Sequence, residues 1–223
     1  MKVVIFGATG MVGNSVLREC LTDSRIDTVV TVGRNPITIG DAKIVDIVHH
    51  DLLDLTSIEG DLIGADACFF CLGASSAGMN ETDYTRITRD FTLAAATTLA
   101  RLNPHMVFVY VSGESADSTE TSTTMWKRVR GATENALLAL PLTVYIFRPG
   151  FIRPRSGSPS KTWWYQAFYQ LSAGLYPLLR IVLPGSVTTS ENIGTAMITL
   201  ASNAPDLPDR VLRSNKINEL AQL

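Results

Sequence analysis

The chain has 223 residues, a formal net charge of −2 at neutral pH and 46% hydrophobic residues. This length suits one domain with a full hydrophobic core, and the near-neutral charge argues against nucleic-acid binding through bulk positive charge. The longest apolar run, residues 171–183, contains a proline and an arginine and is too short to span a bilayer. We therefore expect one globular domain that neither crosses a membrane nor binds nucleic acid.

The chain begins with an apolar stretch that runs directly into three glycines. The pattern of residues 2–6 predicts a buried strand, and an apolar pattern at helical spacing begins at Val12. Glycine triplets also occur in ordinary turns. Between a strand and a helix, however, they permit a tight turn and let backbone N–H groups approach a phosphate. We therefore predict a dinucleotide site formed by the turn residues Gly7, Thr9, Gly10, Met11, Val12 and Gly13.

Strands and helices alternate along the rest of the chain. The apolar patterns predict strands at 28–32, 43–48, 67–72, 105–112 and 142–147, and long helices at about 83–102, 124–140 and 190–202. Strands separated by helices indicate a parallel sheet with right-handed crossovers. We therefore predict an α/β protein with a doubly wound Rossmann fold, in a single domain whose cofactor core spans residues 1–150.

The character of the sequence changes after Gly150. Residues 153–161 are rich in turn formers, and aromatic residues crowd one predicted helix within 163–171. We expect residues 151–223 to form a small helical region that covers a substrate or forms an interface. The aromatic residues suit a core or subunit contact better than a pocket, because no polar groups converge among them.

Two further expectations concern the same region. The apolar segment 163–183 is our candidate surface for a homodimer. Thr188 and Glu191 have the spacing of a capping box, which predicts the start of the last long helix.

The residue that closes the second strand selects between the two nicotinamide cofactors. An NAD site places Asp or Glu there, where the carboxylate accepts a hydrogen bond from the ribose 2′-hydroxyl. This chain has Gly33, Arg34 and Asn35 instead. A guanidinium suits the doubly charged 2′-phosphate of NADP(H). We therefore predict that Arg34 gives a preference for NADP(H) over NAD(H), the alternative being a surface arginine in a turn before Pro36.

Four more residues follow strands at the edge of the sheet where this fold binds its cofactor. Asp51 and Leu52 come after the third strand, where the fold commonly meets the adenine ring. Leu72 and Gly73 come after the fourth strand, where a glycine lets the backbone pass close to the cofactor. We predict all four as cofactor contacts.

The cysteines and histidines do not indicate a metal site. Cys68 and Cys71 are three apart in a predicted strand, so their side chains should point to opposite faces of the sheet. His49 and His50 have no partner at ligand spacing. Unpaired cysteines fit a reducing compartment, and the first strand begins at residue 2, so we expect no signal peptide and a cytoplasmic location.

The middle of the chain carries a more specific pattern of four motifs. In chain order they are Phe69-Phe70-Cys71-Leu72-Gly73, Asp83-Tyr84, Val111-Ser112-Gly113 and Phe147-Arg148-Pro149-Gly150. With the opening glycine turn, they resemble the Tat-interacting-protein-like oxidoreductases, an atypical branch of the short-chain dehydrogenase/reductase superfamily. The resemblance covers about residues 1–155. It implies NADPH binding, with Pro149 among the cofactor contacts, and reduction of a small carbonyl substrate.

The chain departs from the catalytic set that this resemblance implies. In the superfamily a serine follows the fifth strand, and a Tyr-x-x-x-Lys pair on the next helix donates the proton and holds the nicotinamide ribose. Ser112 fits the serine position, but Trp126 stands in place of the tyrosine and Arg130 in place of the lysine. An indole N–H does not titrate near neutral pH, whereas arginine keeps its charge. We therefore predict Ser112 and Arg130 as catalytic residues, with Arg130 also contacting the cofactor.

Two functions remain open after this departure. The first is an NADPH-dependent reductase whose proton comes from water, from the substrate, or from another acid such as Tyr84, Tyr165 or Tyr169. The second is an NADPH-sensing binding protein that has lost catalysis. An epimerase or dehydratase would need a similar tyrosine and meets the same objection. We favour the reductase.

Overall fold

A computed structural model describes residues 1–155, 185–203 and 207–223. The predicted aromatic helix, the candidate dimer surface, Tyr165 and Tyr169 lie outside the described residues. The strands are β1 (Lys2–Phe6), β2 (Thr28–Gly33), β3 (Ile44–Val48), β4 (Ala67–Phe70), β5 (Val107–Val111), β6 (Thr143–Arg148), β7 (Phe151–Arg153), β8 (Val187–Thr189) and β9 (Val211–Arg213). The α-helices are α1 (Met11–Thr22), α2 (Glu59–Leu62), α3 (Glu81–Thr85), α4 (Phe91–Leu102), α5 (Met125–Leu138), α6 (Ser190–Asn203) and α7 (Ser214–Leu220).

Seven of these strands form one parallel sheet in the order β3-β2-β1-β4-β5-β6-β9. The strand order reverses between β1 and β4, where the chain crosses from one half of the sheet to the other. Ligands of doubly wound proteins bind at this reversal, outside the carboxyl ends of the strands. The predicted α/β Rossmann fold is therefore confirmed, and its architecture places the glycine turn after β1 at the expected ligand site.

Apolar side chains form a core on each face of the sheet. One core joins β1 residues such as Val3 and Ile5 to α1, α6 and α7, and the other joins Val4 and Phe6 to α4. Neighbouring residues of β1 alternate between the two cores because side chains of a strand point to opposite faces. Cys68 belongs to the second core and Cys71 packs against the first, so these thiols lie on opposite sides, as predicted.

The described part of residues 151–223 completes this core. Helix α6 lies so close to α1 that a Cβ on Gly194 would stand 3.2 Å from the Cα of Val16. The short strand β9 pairs with β6 and forms one edge of the sheet. Among the described residues, no helix combines the length and apolar character that crossing a membrane requires.

Within the described residues, the bounds of the predicted elements agree with the structure to within two residues, but some local features differ. The strands β7, β8 and β9 were not predicted, because three residues are too few to show an alternating pattern. The predicted helix 83–102 contains a π-helical segment, Arg86–Asp90, between α3 and α4. It also begins earlier, at Glu81, because Asn80 accepts a hydrogen bond from the Asp83 N–H at 2.8 Å.

The predicted capping box before α6 is wrong. The hydroxyl of Thr189 accepts a hydrogen bond from the Asn192 N–H at 3.0 Å, so Thr189 caps the helix. Thr188 is instead buried, and its hydroxyl donates to Asn218 at 2.7 Å. The chain enters α6 one residue later than the capping pattern implied.

Candidate dinucleotide-binding and active site

The turn between β1 and α1 requires glycine at two positions. Gly7 has a φ of +82°, and a Cβ there would lie 2.7 Å from the Cα of Leu72. A Cβ on Gly13 would lie 2.2 Å from the carbonyl oxygen of Gly7. The first glycine therefore lets the turn pass close to the segment after β4, and the third lets α1 pack onto the turn.

The N-terminus of α1 presents free backbone donors at this turn. Gly10 is the N-cap residue, and no side chain caps the helix. The first helical hydrogen bond joins the Asn14 N–H to the Gly10 oxygen at 2.8 Å. The N–H groups of the first helical turn therefore have no intrahelical acceptor, and no acidic side chain lies among them. Such a helix end attracts phosphate through its donors and its dipole, so the donor set fits a dinucleotide pyrophosphate.

A cleft adjoins the turn. Its lining comes from the turn, from the end of β2 and from β3: Gly7, Ala8, Thr9, Thr31, Val32, Gly33, Asn35, Ile37 and Asp46. Arg34 is exposed between two lining residues and forms no ion pair with another described residue. Its guanidinium is therefore not neutralised by a described carboxylate, although the side chain is not among the residues that line the cleft.

Asp46 is a cleft residue that the sequence interpretation missed. It pairs with Thr31 in the register between β2 and β3. One carboxylate oxygen accepts from the Thr31 hydroxyl at 2.6 Å, and the other accepts from the Ile37 N–H at 3.1 Å. The only sequence signal was a charged residue inside an otherwise apolar strand, and its position in the cleft depends on strand register.

The four predicted cofactor contacts after β3 and β4 differ in their exposure and in their distance from the glycine turn. Asp51 is exposed and accepts from the Leu53 N–H at 3.0 Å, whereas the Leu52 side chain is buried in the core. Leu72 lies against Gly7, and Gly73 follows it as an exposed residue. The loop after β4 is therefore brought to the glycine turn, while Leu52 would have to contact a ligand through its backbone.

Ser112 belongs to a buried ion pair that connects β5, α5 and β6. The Arg148 Nε donates to both carboxylate oxygens of Glu134, at 3.1 and 2.9 Å, and its Nη2 donates to the same carboxylate. The Ser112 hydroxyl also donates to Glu134, which is 1% exposed. A buried charge is tolerated only when it is paired in this way. In this arrangement the Ser112 proton points to Glu134.

Arg130 connects α5 to α3 beside this ion pair. Its Nε donates to the hydroxyl of Tyr84 at 2.9 Å, and its Cζ lies 5.9 Å from the centre of the Trp126 ring. A Cβ on Gly113 would lie 2.3 Å from an Arg130 nitrogen, so Gly113 leaves the space that the guanidinium fills. The structure thus brings Arg130 and Tyr84 next to the end of β5, where Ser112 lies.

The signals for these contacts were weak in the sequence. Glu134 follows Arg130 by four residues on α5, a spacing that puts both side chains on one helix face. Nothing local joins Tyr84 to Arg130, or Glu134 to Arg148, because each pair is formed between separate elements.

Pro149 is buried directly after Arg148, and its carbonyl oxygen accepts from the Glu114 N–H at 3.1 Å.

Burial controls the titration of the other reactive groups near these strands. Burial raises the pKa of the Tyr110 phenol well above its usual range, and the Arg130 charge opposes that shift. Burial likewise raises the pKa of the Cys71 thiol to about 12. Because the thiolate is the nucleophilic form of cysteine, Cys71 is not suited to nucleophilic catalysis. No group of His, Cys, Asp and Glu side chains that could hold a metal occurs within the described ranges.

The family follows from the match of the chain to known proteins. Residues 7–159, which begin at the first glycine of the turn, match a family model described as NAD(P)H-binding. The chain belongs to this NAD(P)H-binding family. The identification agrees with the free N–H groups at α1 and with the cleft beside them.

Two individual proteins resemble the chain over more than two thirds of its length. Rat Protein HTATIP2 is 26% identical over 155 residues, which cover 68% of this chain and 62% of the rat protein's length. Kluyveromyces lactis "Protein FMP52, mitochondrial" is 27% identical over 183 residues, covering 79% of this chain and 78% of the yeast protein. The match to HTATIP2 agrees with the predicted resemblance to the Tat-interacting-protein-like oxidoreductases.

Solved structures support the fold independently. MoeE5 in complex with UDP-glucose and NAD superposes with a TM-score of 0.68 at 17% identity, covering 99% of this chain and 81% of MoeE5. At that identity the likeness establishes the shared Rossmann architecture alone.

Proposed function

We propose that this protein is an NADP(H)-dependent reductase of small carbonyl compounds with a non-standard active site. The observation that carries the proposal is the contact between Arg130 and Tyr84 beside Ser112, on the same edge of the sheet as the glycine turn. This contact supplies a phenol and a fixed cation where the superfamily's Tyr-x-x-x-Lys pair is missing. Membership of the NAD(P)H-binding family supports the presence of the hydride carrier.

The cofactor would be held by groups along the carboxyl edge of the sheet. The pyrophosphate would meet the turn residues 7–13, and Arg34 would meet the 2′-phosphate. The proposed remaining contacts are Asp51, Leu52, Leu72, Gly73, Arg130 and Pro149. When bound, this cofactor would supply a hydride to the substrate carbonyl.

Tyr84 would supply the proton that the carbonyl oxygen requires. Because Arg130 donates to the phenol oxygen, the O–H proton of Tyr84 remains available for a different acceptor. The phenol oxygen would keep its hydrogen bond from Arg130, and solvent would return the proton. Ser112 would orient the substrate through its hydroxyl oxygen.

The test measures binding and turnover separately. Calorimetry should show NADPH binding by the wild-type protein, and NADPH oxidation should be detectable with at least one aldehyde, ketone or quinone of a panel. Ser112→Ala should lower that turnover while leaving NADPH binding in place. Tight NADPH binding without turnover on any panel member would contradict the reductase.

A second function is supported by the position of the Ser112 proton. This hydroxyl donates to Glu134, and Trp126 replaces the usual acid, as expected of an NADPH-sensing binding protein without catalysis. For such a protein, the double substitution Trp126→Tyr with Arg130→Lys should create turnover that the wild type lacks. Turnover by the wild type would exclude this second function.

Arg34→Glu should weaken NADPH binding by about 10- to 100-fold, since a charge-assisted hydrogen bond pair is replaced by repulsion. NADH binding should change little, because NADH lacks the 2′-phosphate. Arg89→Glu, at another exposed arginine, is a control with the same charge change and should leave both affinities intact. If Arg34→Glu still binds NADPH more tightly than NADH, the proposed role of Arg34 is wrong.

The remaining features of the proposal concern the whole protein. We infer one domain in which residues 151–223 contribute the substrate region or an interface, a homodimer formed through 163–183, and a cytoplasmic location. The K. lactis relative carries the word mitochondrial in its name. Fractionation of cells that express the tagged protein, with separate cytosolic and mitochondrial fractions, tests the location.

A further inference from the structure

The carboxylate of Asp46 lies in the cleft without a cationic partner. Both of its oxygens accept hydrogen bonds from neutral donors, the Thr31 hydroxyl at 2.6 Å and the Ile37 N–H at 3.1 Å. The residue is exposed, and no ion pair joins it to Arg34 or to another described residue. Its negative charge is therefore fixed in position and not neutralised by the protein.

The segments around the cleft carry opposite signs of charge. Arg34 lies between the lining residues Gly33 and Asn35 without being a lining residue itself, and Asp46, on the adjoining strand β3, lines the cleft. A 2′-phosphate bound there would be attracted by the guanidinium and repelled by the carboxylate, since Coulomb forces act between charges within about 10 Å at ordinary ionic strength. A ribose that carries only hydroxyl groups has no net charge, so both the attraction and the repulsion would be small.

We propose that Asp46 is a specificity-determining residue that limits the preference for the phosphorylated cofactor. The inference rests on the proposed NADP(H) site and predicts a smaller preference for NADP(H) than Arg34 alone would give. The charge of Asp46 lowers the selectivity for NADP(H) over NAD(H). Its hydrogen bonds to Thr31 and Ile37 also hold the segment at Ile37 beside β2.

The experiment compares the dissociation constants of NADPH and NADH, which differ by one phosphate. In Asp46→Asn, the ratio of the NADH constant to the NADPH constant should rise about fivefold at low ionic strength. The rise should shrink when roughly 0.5 M salt is added, because salt screens exposed charges. Asp41→Asn removes an exposed carboxylate outside the cleft lining and should leave the ratio unchanged.

A second variant separates charge from tethering. Thr31→Val removes one hydrogen bond to Asp46 but keeps its charge, so the ratio should stay within about twofold of wild type. If Thr31→Val shifts the ratio as much as Asp46→Asn does, or if Asp46→Asn leaves or lowers the ratio, the inference is overturned. Wild-type protein that binds neither dinucleotide would instead overturn the proposed function, and this inference with it.

Discussion

Tyr84→Phe should lower the turnover of carbonyl substrates by about 10²- to 10⁴-fold, the range expected when a positioned proton donor is lost. The substitution removes the phenol oxygen that accepts the Arg130 Nε–H at 2.9 Å and leaves the ring in its buried site. The dissociation constant of NADPH should stay within about twofold, since no part of the glycine turn changes. Steady-state kinetics and a fluorescence titration with NADPH measure the two quantities.

Tyr110→Phe is the matched control for this prediction. It removes the hydroxyl of a second buried tyrosine, which lies on β5. The charge of Arg130 acts on this phenol as well. Its turnover should fall by less than about tenfold, because Tyr110 is not the proposed donor. Equal losses in the two variants would show that packing, and not proton donation, explains the effect at Tyr84.

Glu134→Gln should lower the free energy of unfolding by about 3–5 kcal/mol, because it leaves the buried guanidinium of Arg148 without a counter-charge. Glu134 is 1% exposed and accepts from Arg148 and Ser112. Urea denaturation followed by circular dichroism measures the change. Replacing both partners, as Glu134→Leu with Arg148→Met, should recover most of the loss, since an apolar pair needs no compensation.

An exposed ion pair provides the comparison. Arg101 also pairs with a carboxylate, that of Glu59, but its side chain is 60% exposed. Glu59→Gln should therefore lower the free energy of unfolding by less than about 1 kcal/mol. If Glu134→Gln also lowered the free energy of unfolding by less than about 1 kcal/mol, the buried ion pair would contribute no more than a surface pair and would not hold Ser112 in place.

Helix α5 connects the two proposed roles. Arg130 contacts Tyr84 at the proposed substrate side, and Glu134 holds Ser112 and Arg148 one turn further along. Gly131 lets the helix pack here, since a Cβ on it would lie 1.6 Å from the Asp117 carbonyl oxygen. A shift of α5 would therefore disturb the proposed proton donor and the serine together.

Local sequence determined the parts of the protein that depend on a single stretch of backbone. Residues 2–13 specify strand, glycine turn and helix N-terminus, because an apolar run, the positive φ that glycine permits and helical spacing are properties of neighbouring residues. The alternation of strands and helices likewise determined a parallel, doubly wound sheet. Motif order identified the positions of Ser112, Trp126 and Arg130, although it could not say what replaces the missing tyrosine.

Tertiary structure decided the contacts between elements. Tyr84 meets Arg130 across 46 positions of sequence, and Asp46 enters the cleft only because β3 pairs with β2 in register with Thr31. The edge strand β9 is too short for a periodic signal and exists because β6 offers it a partner. Such contacts depend on strand register, crossover geometry and helix packing, which no local pattern encodes. The sequence therefore predicted where a dinucleotide would bind, and the packing of α3, α5 and β3 decided which side chains lie near that proposed site.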